Sequence, residues 1–341
     1  MGNCGYKPVL PTSRITPDHR TLTPAHLKNN IPIGTLLQYC DPPLPVNHST
    51  VQIHPSAQIT GRTRLYGLVG DPLTTAKSPE LLNRLFIEQR VDAVCVPFGV
   101  KADDLSAFVT GARGVGNLAG VLVTMPHKQR MLALVDELDP TARQVGAVNV
   151  IRCDDDGRWV GAIFDGVGCV LGMQWEGHHP ANKSILLVGA GGAGRAIAFA
   201  VASAGARTLT IFDVDERRGH DLAESVAAAT GCTADFGVPD PRGCEIVINA
   251  TSLGMKPDDP MPVDPDRLEP GSIVVDIINA PNPTPLCRAA RARGCLAQDG
   301  RPMHEGQAVH ALRFLGFDYL PEGRPAPDKG SLSVGAMDSS L

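Results

Sequence analysis

Lys128 closes the run Thr124-Met125-Pro126-His127-Lys128, which follows the short apolar stretch Ala119 to Val123. Polar residues at the carboxyl end of a strand in an α/β sheet face a ligand crevice, so Lys128 is a candidate proton donor and acceptor. His127, Lys128 and Arg130 read equally well as a solvated basic run. Asp165 puts a carboxylate between Ile163-Phe164 and Gly166, and taken alone it reads as an Asx-turn. Asn149 ends the small-residue stretch Gly146-Ala147-Val148 and reads either as a site amide or as a turn residue. The most specific pattern is Gly189-Ala190-Gly191-Gly192-Ala193-Gly194, a G-x-G-x-x-G run between an apolar strand and an Ala-rich helix. The first glycine permits a tight turn and the second lets backbone amides approach a pyrophosphate. The third lets helix and strand pack closely, with the helix N-terminus facing the phosphate charge. Asp213 stands about twenty positions on, as a dinucleotide fold requires. A carboxylate there accepts ribose hydroxyls and repels a 2′-phosphate, which favours NAD over NADP; Arg217 and Arg218 are close enough to soften that repulsion. His127, His178 and His179 stand at no recognisable spacing from a Ser or Asp partner. No metal-ligand spacing occurs, so no metal is expected.

The elements that must hold these residues follow from the apolar pattern. The chain has 341 residues, long enough for about two domains. Residues 1–60 hold nine of the 29 prolines and read as an extended or partly ordered leader. From Arg64 strands and helices alternate: a strand at Leu65 to Gly70, a helix at Pro79 to Gln89 and a strand at Ala93 to Phe98. An amphipathic helix at Lys101 to Ala112, the strand at Ala119 to Val123 and short helices at Gln129 to Leu134 and Pro140 to Gln144 follow. The second unit starts near Gly166. It carries strands at Ser184 to Val188, Thr208 to Phe212, Glu245 to Asn249 and Ser272 to Ile277. Helices are expected at Asp215 to Ala229, Pro285 to Arg293 and Gly306 to Leu315. The alternation implies an α/β fold with mainly parallel sheets.

Composition narrows the partners. The net charge is −5 and aromatics make up 4% of the residues, which argues against a nucleic-acid or anionic-membrane surface. The run Ile185 to Ala206 is interrupted by Arg195 and rich in Gly and Ala, so a membrane span is not expected. The nine cysteines are odd in number and contain no Cys-x-x-Cys, which suits reduced thiols in a cytoplasmic protein. Met1-Gly2-Asn3-Cys4 has the outline of an acylation start, but Tyr6 stands where Ser or Thr is wanted.

In family order the chain carries Gly70-Asp71-Pro72, Lys77-Ser78-Pro79 and Asn83, then Val123-Thr124-Met125-Pro126-His127-Lys128. Asp136-Glu137-Leu138-Asp139-Pro140, Gly146-Ala147-Val148-Asn149, Asp165-Gly166 and the glycine loop follow. Asn249-Ala250-Thr251-Ser252-Leu253-Gly254-Met255, Asp276, Thr284-Pro285-Leu286, Asp299-Gly300, Met303 and Gln307 complete the series. Over about 64–317 the chain resembles the shikimate dehydrogenase family. The resemblance implies an N-terminal α/β substrate domain, 61–165, and a Rossmann NAD(P)-binding domain, 166–302, with the cleft between them. A C-terminal helical segment, 303–320, would complete the first domain, and 321–341 would be a tail. It implies Lys128 and Asp165 as the catalytic pair. Ser78, Thr124, Asn149 and Gln307 would be substrate contacts, joined by the positions of Ala76 and Asn279. Cofactor contacts would come from Gly189 to Gly194, Asp213, Thr251, Gly254, Met255 and Gly300.

Departures from the family pattern bear on the substrate. Ala76 replaces the first of two serines around the substrate carboxylate, Leu122 replaces an asparagine, and Ile163-Phe164 replaces an Asn-Thr pair. Asn279 replaces a tyrosine, and Asp213-Val214-Asp215 replaces the Asn-Arg-Thr that grips the NADP phosphate. Hydrogen bonds to charged groups contribute about 1.5–3 kcal/mol each, so the reaction type transfers better than the substrate. Three readings follow. The first is NAD(P)-linked oxidoreduction of a shikimate- or quinate-like cyclic hydroxy acid, with NAD favoured and NADP retained. The second is the same chemistry on a less polar alcohol. The third is a dinucleotide-binding sensor that has lost catalysis. A small-molecule substrate and a monomer or homodimer are expected throughout.

Overall fold

The computed structural model describes residues 59–327 apart from Thr75, Pro257, Ala280 and Pro281. The expected leader therefore lies outside the described residues except for Ile59 and Thr60, and so does the part of the expected tail beyond 327. The described chain builds two six-stranded sheets, each with helices against it.

The first sheet comes from β1 (Arg64–Gly70), β2 (Ala93–Gly99), β3 (Leu118–Val123), β4 (Glu137–Leu138), β5 (Val150–Cys153) and β6 (Trp159–Ala162). Their order is β2-β1-β3-β5-β6-β4. Helices α1 (Ser78–Glu88), α2 (Leu105–Ala112) and α3 (Pro140–Val145) connect them. The second sheet contains β7 (Ser184–Val188), β8 (Thr208–Phe212), β9 (Thr233–Phe236), β10 (Ile246–Asn249), β11 (Ile273–Asp276) and β12 (Leu296–Gln298). It runs β12-β11-β10-β7-β8-β9 with every pairing parallel. Between and around its strands lie α4 (Asp165–Trp175), α5 (Gly192–Ser203), α6 (Glu216–Thr230), α7 (Pro285–Ala292) and α8 (Arg301–Phe314). β7 reads Ser-Ile-Leu-Leu-Val and is buried from Ile185 onward, as an apolar run covered on both faces must be.

The expected mainly parallel pairing holds in both sheets, and the first departs from it at one strand. β5 runs antiparallel to both β3 and β6. The reason is the turn Asp154-Asp155-Asp156-Gly157, where Gly157 takes φ 86° and returns the chain as a β5–β6 hairpin. The helix expected from Lys101 splits into a 3₁₀ turn, Ala102–Asp104, and α2. The one expected from Gln129 is a 3₁₀ segment, Arg130–Leu134. Neither α4 nor the strands β4, β5, β6, β9 and β12 are anticipated by the sequence pattern. α8 begins five residues earlier than expected, at Arg301, with Pro302 in the first turn, where its missing N–H costs nothing.

α8 turns back from the second sheet onto the first. Its Ala308, Ala311 and Leu312, with Leu315 just after it, pack with Tyr66, Leu68, Leu82 and Phe86 in one buried cluster. Against its other side lies α4, and the two backbones meet at glycines. A Cβ on Gly168 would stand 2.5 Å from Gln307 N, and one on Gly172 would stand 2.5 Å from the Pro302 carbonyl carbon. Gly168→Ala must therefore push α8 away, and overpacking of this kind costs about 1–3 kcal/mol. The expected result is a lower denaturant midpoint together with a raised substrate KM. Equilibrium unfolding and steady-state kinetics of the same preparation check both, and two unchanged values would show that the helices have slack.

Candidate active site

The antiparallel strand is what assembles the site. β3 and β6 leave the first sheet at one edge, and β5, running the other way, enters from that same edge. Three segments thus converge: Thr124 to Lys128 after β3, Asn149 before β5, and Asp165 after β6. Backbone bonds fix their registration. Val148 N donates to Lys128 O at 2.8 Å, Val123 N to Asn149 O at 2.7 Å, and Asn149 N to Ala162 O at 2.9 Å.

Lys128 Nζ donates to Asp165 Oδ2 at 2.6 Å, while Asn149 Nδ2 donates to Asp165 Oδ1 at 3.1 Å. The Asn149 side-chain oxygen accepts from Phe164 N at 3.1 Å. Asp165 is therefore held at both oxygens and is only 1% exposed, whereas the Lys128 side chain keeps 16% exposure. Asp165 is the first residue of α4, so the unsatisfied N–H groups of that helix also favour its negative charge. The Asx-turn reading of Asp165 does not describe its position, and neither does the basic-run reading of Lys128, since Lys128 is ion-paired in the cleft. His127 is fully buried and bonds Val100 O at 2.7 Å, so it points away from that run.

Ser78, Leu122 and Gln307 line a recess of about 20 Å³ together with Leu82, Ala308 and His304. His304 is a residue that the sequence pattern did not single out. Its signal was available: it stands three positions before Gln307, on the same face of α8. Thr124 lies half-buried after β3, its N–H donating to Val69 O at 3.0 Å. Ala76 is half-buried against the cluster around Tyr66 and Leu82 and offers no polar atom in place of a hydroxyl. Asn279 is exposed beside Gly300, where an added Cβ would stand 2.9 Å from Asn279 Oδ1.

The glycine loop joins β7 to α5. Gly189 takes φ 105°, and the space where a Cβ of Gly194 would stand is filled by the Gly189 carbonyl oxygen. Gly191, in contrast, has open space on its Cβ side, which leaves a cradle bounded by backbone at the start of α5. These residues fit a dinucleotide's pyrophosphate. Gly192 brings the loop to the lysine: a Cβ there would lie 3.2 Å from Lys128 Cβ. Ala190 and Ala193 belong to the same loop, and Ala190 N donates to Asp213 Oδ2 at 2.6 Å.

Asp213 also accepts from Asp215 N at 2.9 Å and pairs with Arg218 at 2.7 Å. Burial alone would raise its pKa, but these three donors hold the carboxyl below the ordinary aspartate value. Arg217 is largely exposed and lies 3.9 Å from Asp221.

On the far side of the loop, Thr251 Oγ1 donates to Asn249 Oδ1 at 2.7 Å, and its methyl lies against Gly189. Gly254 takes φ 108° and donates to Asp259 at 3.0 Å, and Met255 N donates to Ser252 O at 3.2 Å. Asn249 and Thr284 both donate to buried Asp276, at 2.9 and 2.6 Å, tying the ends of β10 and β11 to the start of α7. Burial pushes the Asp276 carboxyl up. Gly192 thus brings the glycine loop to Lys128, while Asn279, expected among the substrate contacts, lies beside Gly300.

The seven described cysteines are free thiols, and burial pushes Cys95, Cys153 and Cys169 up to about 12. No group of three or more metal-ligating side chains occurs among the described residues, and no described helix is long and apolar enough to cross a membrane.

Comparison with known proteins agrees with this geometry. The family model for the shikimate dehydrogenase substrate binding domain matches residues 68–151. The NADP(+) shikimate dehydrogenase of Rubrobacter xylanophilus is 39% identical over 281 residues, 81% of this chain and 96% of that protein. The Listeria monocytogenes shikimate 5-dehydrogenase, solved with shikimate and NAD, superposes with a TM-score of 0.70 at 31% identity, covering 77% of this chain and 95% of that one. The Corynebacterium glutamicum quinate dehydrogenase, solved with NAD, gives 0.68 at 32% identity, covering 75% and 95%. The chain belongs to the shikimate dehydrogenase family of NAD(P)-dependent oxidoreductases.

Proposed function

We propose that the protein interconverts a ring alcohol and its ketone on a shikimate- or quinate-type cyclic hydroxy acid, with Lys128 and Asp165 as the catalytic pair. The observation that carries this reading is the 2.6 Å Lys128–Asp165 contact, set beside the glycine loop through Gly192. Lys128 Nζ spends one proton on Asp165 and keeps two for a substrate oxygen. In the reducing direction it stabilises the negative charge that grows on that oxygen and delivers a proton to it. Asp165, pinned by Asn149, fixes where the ammonium points and accepts from a neighbouring hydroxyl. The bound dinucleotide supplies or receives the hydride. Ser78, Thr124 and Gln307, with the segments at Ala76 and Asn279, surround the substrate. The substrate-binding part is 61–165 plus the helical segment 303–320, and the dinucleotide-binding part is 166–302. Buried, unpaired thiols suit a cytoplasmic setting.

A panel of cyclic alcohols with and without a ring carboxylate tests the substrate class. Saturation by shikimate or quinate supports the reading. Saturation only by alcohols lacking the carboxylate would favour the second reading, which rests on the apolar wall of Leu81, Leu82, Leu122 and Leu312 in the recess. A binding-only role is disfavoured by a paired lysine and aspartate that dinucleotide binding does not need.

For the cofactor we favour NAD. Asp213 follows β8, where a carboxylate in this fold repels a 2′-phosphate, and its one described ion-pair partner, Arg218, is already committed to it. The NADP(+) in the names of the Rubrobacter, Rhodospirillum and Desulforamulus relatives weighs the other way. Asp213→Asn keeps the acceptor for Ala190 but removes the charge, so the NAD:NADP ratio of kcat/KM should fall, on the order of tenfold for about 1.4 kcal/mol. A ratio that rises would show that Asp213 does not face the adenosine ribose.

A further inference from the structure

His304 is a half-buried histidine on an otherwise small or apolar stripe. His304, Gln307, Ala308, Ala311 and Leu312 follow one another at helical spacing and line one recess. Its Nε2 is sealed from solvent and has no hydrogen-bond partner among the described residues. Most buried polar atoms in folded proteins have a hydrogen-bond partner, and an unpartnered one beside a recess is available to a group that enters it. Burial lowers the pKa of His304. Glu305 and Asp165 oppose that shift and Lys128 adds to it, so the ring senses both members of the catalytic pair. A neutral imidazole presents one donor and one acceptor nitrogen, which suits a hydroxyl. The recess, at about 20 Å³, has room for one oxygen-bearing substituent, about the size of a water molecule. Its walls are apolar except at Ser78, His304 and Gln307. Leu122 lies in the same recess and supplies no hydrogen bond.

We propose that His304 is a specificity-determining substrate contact, hydrogen-bonding a ring hydroxyl of the hydroxy acid in a recess where Leu122 offers no partner. The proposal rests on the catalytic reading above. It assigns to His304 a part of the binding site that Lys128 and Asp165 do not supply.

Steady-state kinetics of the full chain with shikimate and quinate, for wild type, His304→Leu, His304→Asn and His304→Gln, test it. His304→Leu and the shorter His304→Asn should each raise substrate KM by about tenfold or more, with a much smaller fall in kcat and an unchanged cofactor KM. His304→Gln, which can reach with an amide, should recover most of the loss. Unchanged substrate KM in His304→Leu, or in His304→Asn if the leucine variant folds poorly, would overturn the proposal. So would a parallel rise in cofactor KM with no rescue by glutamine, the pattern of a merely structural residue. An active wild type with insensitive variants defeats this proposal alone, whereas a wild type inactive on both acids defeats the catalytic reading and this proposal with it.

Discussion

Lys128→Ala lowers kcat by about 10²–10⁴-fold, the range that a positioned proton donor contributes, while the dissociation constant for NAD stays within about twofold. The split follows from where the side chain sits. Lys128 lies against the glycine loop at Gly192 through its Cβ and Cδ, apolar atoms of which alanine keeps the nearer. Its Nζ is spent on Asp165 and on the cleft, and alanine removes it. Fluorescence titration with NADH and initial rates with saturating hydroxy acid check the two halves separately. A variant that binds NADH normally and turns over at wild-type rate would show that the proton travels by another route. Loss of NADH binding would show instead that the lysine is part of the cofactor site.

Asp165→Asn has the second large effect, a fall in kcat of on the order of 10²-fold. The amide preserves volume and can still accept from Asn149 or Lys128 with its oxygen. It removes the buried negative charge against which the ammonium is held. Breaking a buried pair by neutralising one member leaves the other charge without compensation, which costs several kcal/mol when both are sealed. Here Lys128 retains 16% exposure, so water recovers part of that cost and the variant should fold. The expected signature is a large loss of kcat with a modest loss of thermal stability. Circular dichroism melts run beside the kinetics distinguish it from simple unfolding, and retention of full kcat would mean that Asp165 does not position Lys128.

Much of this site was legible residue by residue. The glycine loop could be read because its glycines answer separate steric demands, and the structure shows two of them, the positive φ of Gly189 and the close approach of its carbonyl to Gly194. Lys128, a few residues beyond an apolar strand, was open to two readings by position, and the family resemblance is what singled it out. The convergence of Lys128, Asn149 and Asp165 could not be read, because it depends on β5 running antiparallel, and the decision lies in the Asp154-to-Gly157 turn rather than in any apolar period. α4 escaped because Asp165-Gly166-Val167-Gly168 carries two glycines, each about 1 kcal/mol worse than alanine in a helix. Tertiary contact overrides that propensity: the absent Cβ atoms are what let α4 lie against α5 and α8. The apolar period alone starts the last helix at Gly306 and so leaves out His304, which the structure puts on one helical face with Gln307. The start at Arg301 depends on Pro302 occupying the first turn.

The central claim is that the Lys128–Asp165 pair and the glycine loop serve one reaction on a cyclic hydroxy acid. Initial rates of the full chain with shikimate and with quinate, each with NAD and NADP side by side, test it most directly. The account predicts saturable, reversible reduction of the dinucleotide with at least one of the acids, and a higher kcat/KM with NAD than with NADP. No turnover of either acid with either dinucleotide, by protein that binds NADH, would contradict it.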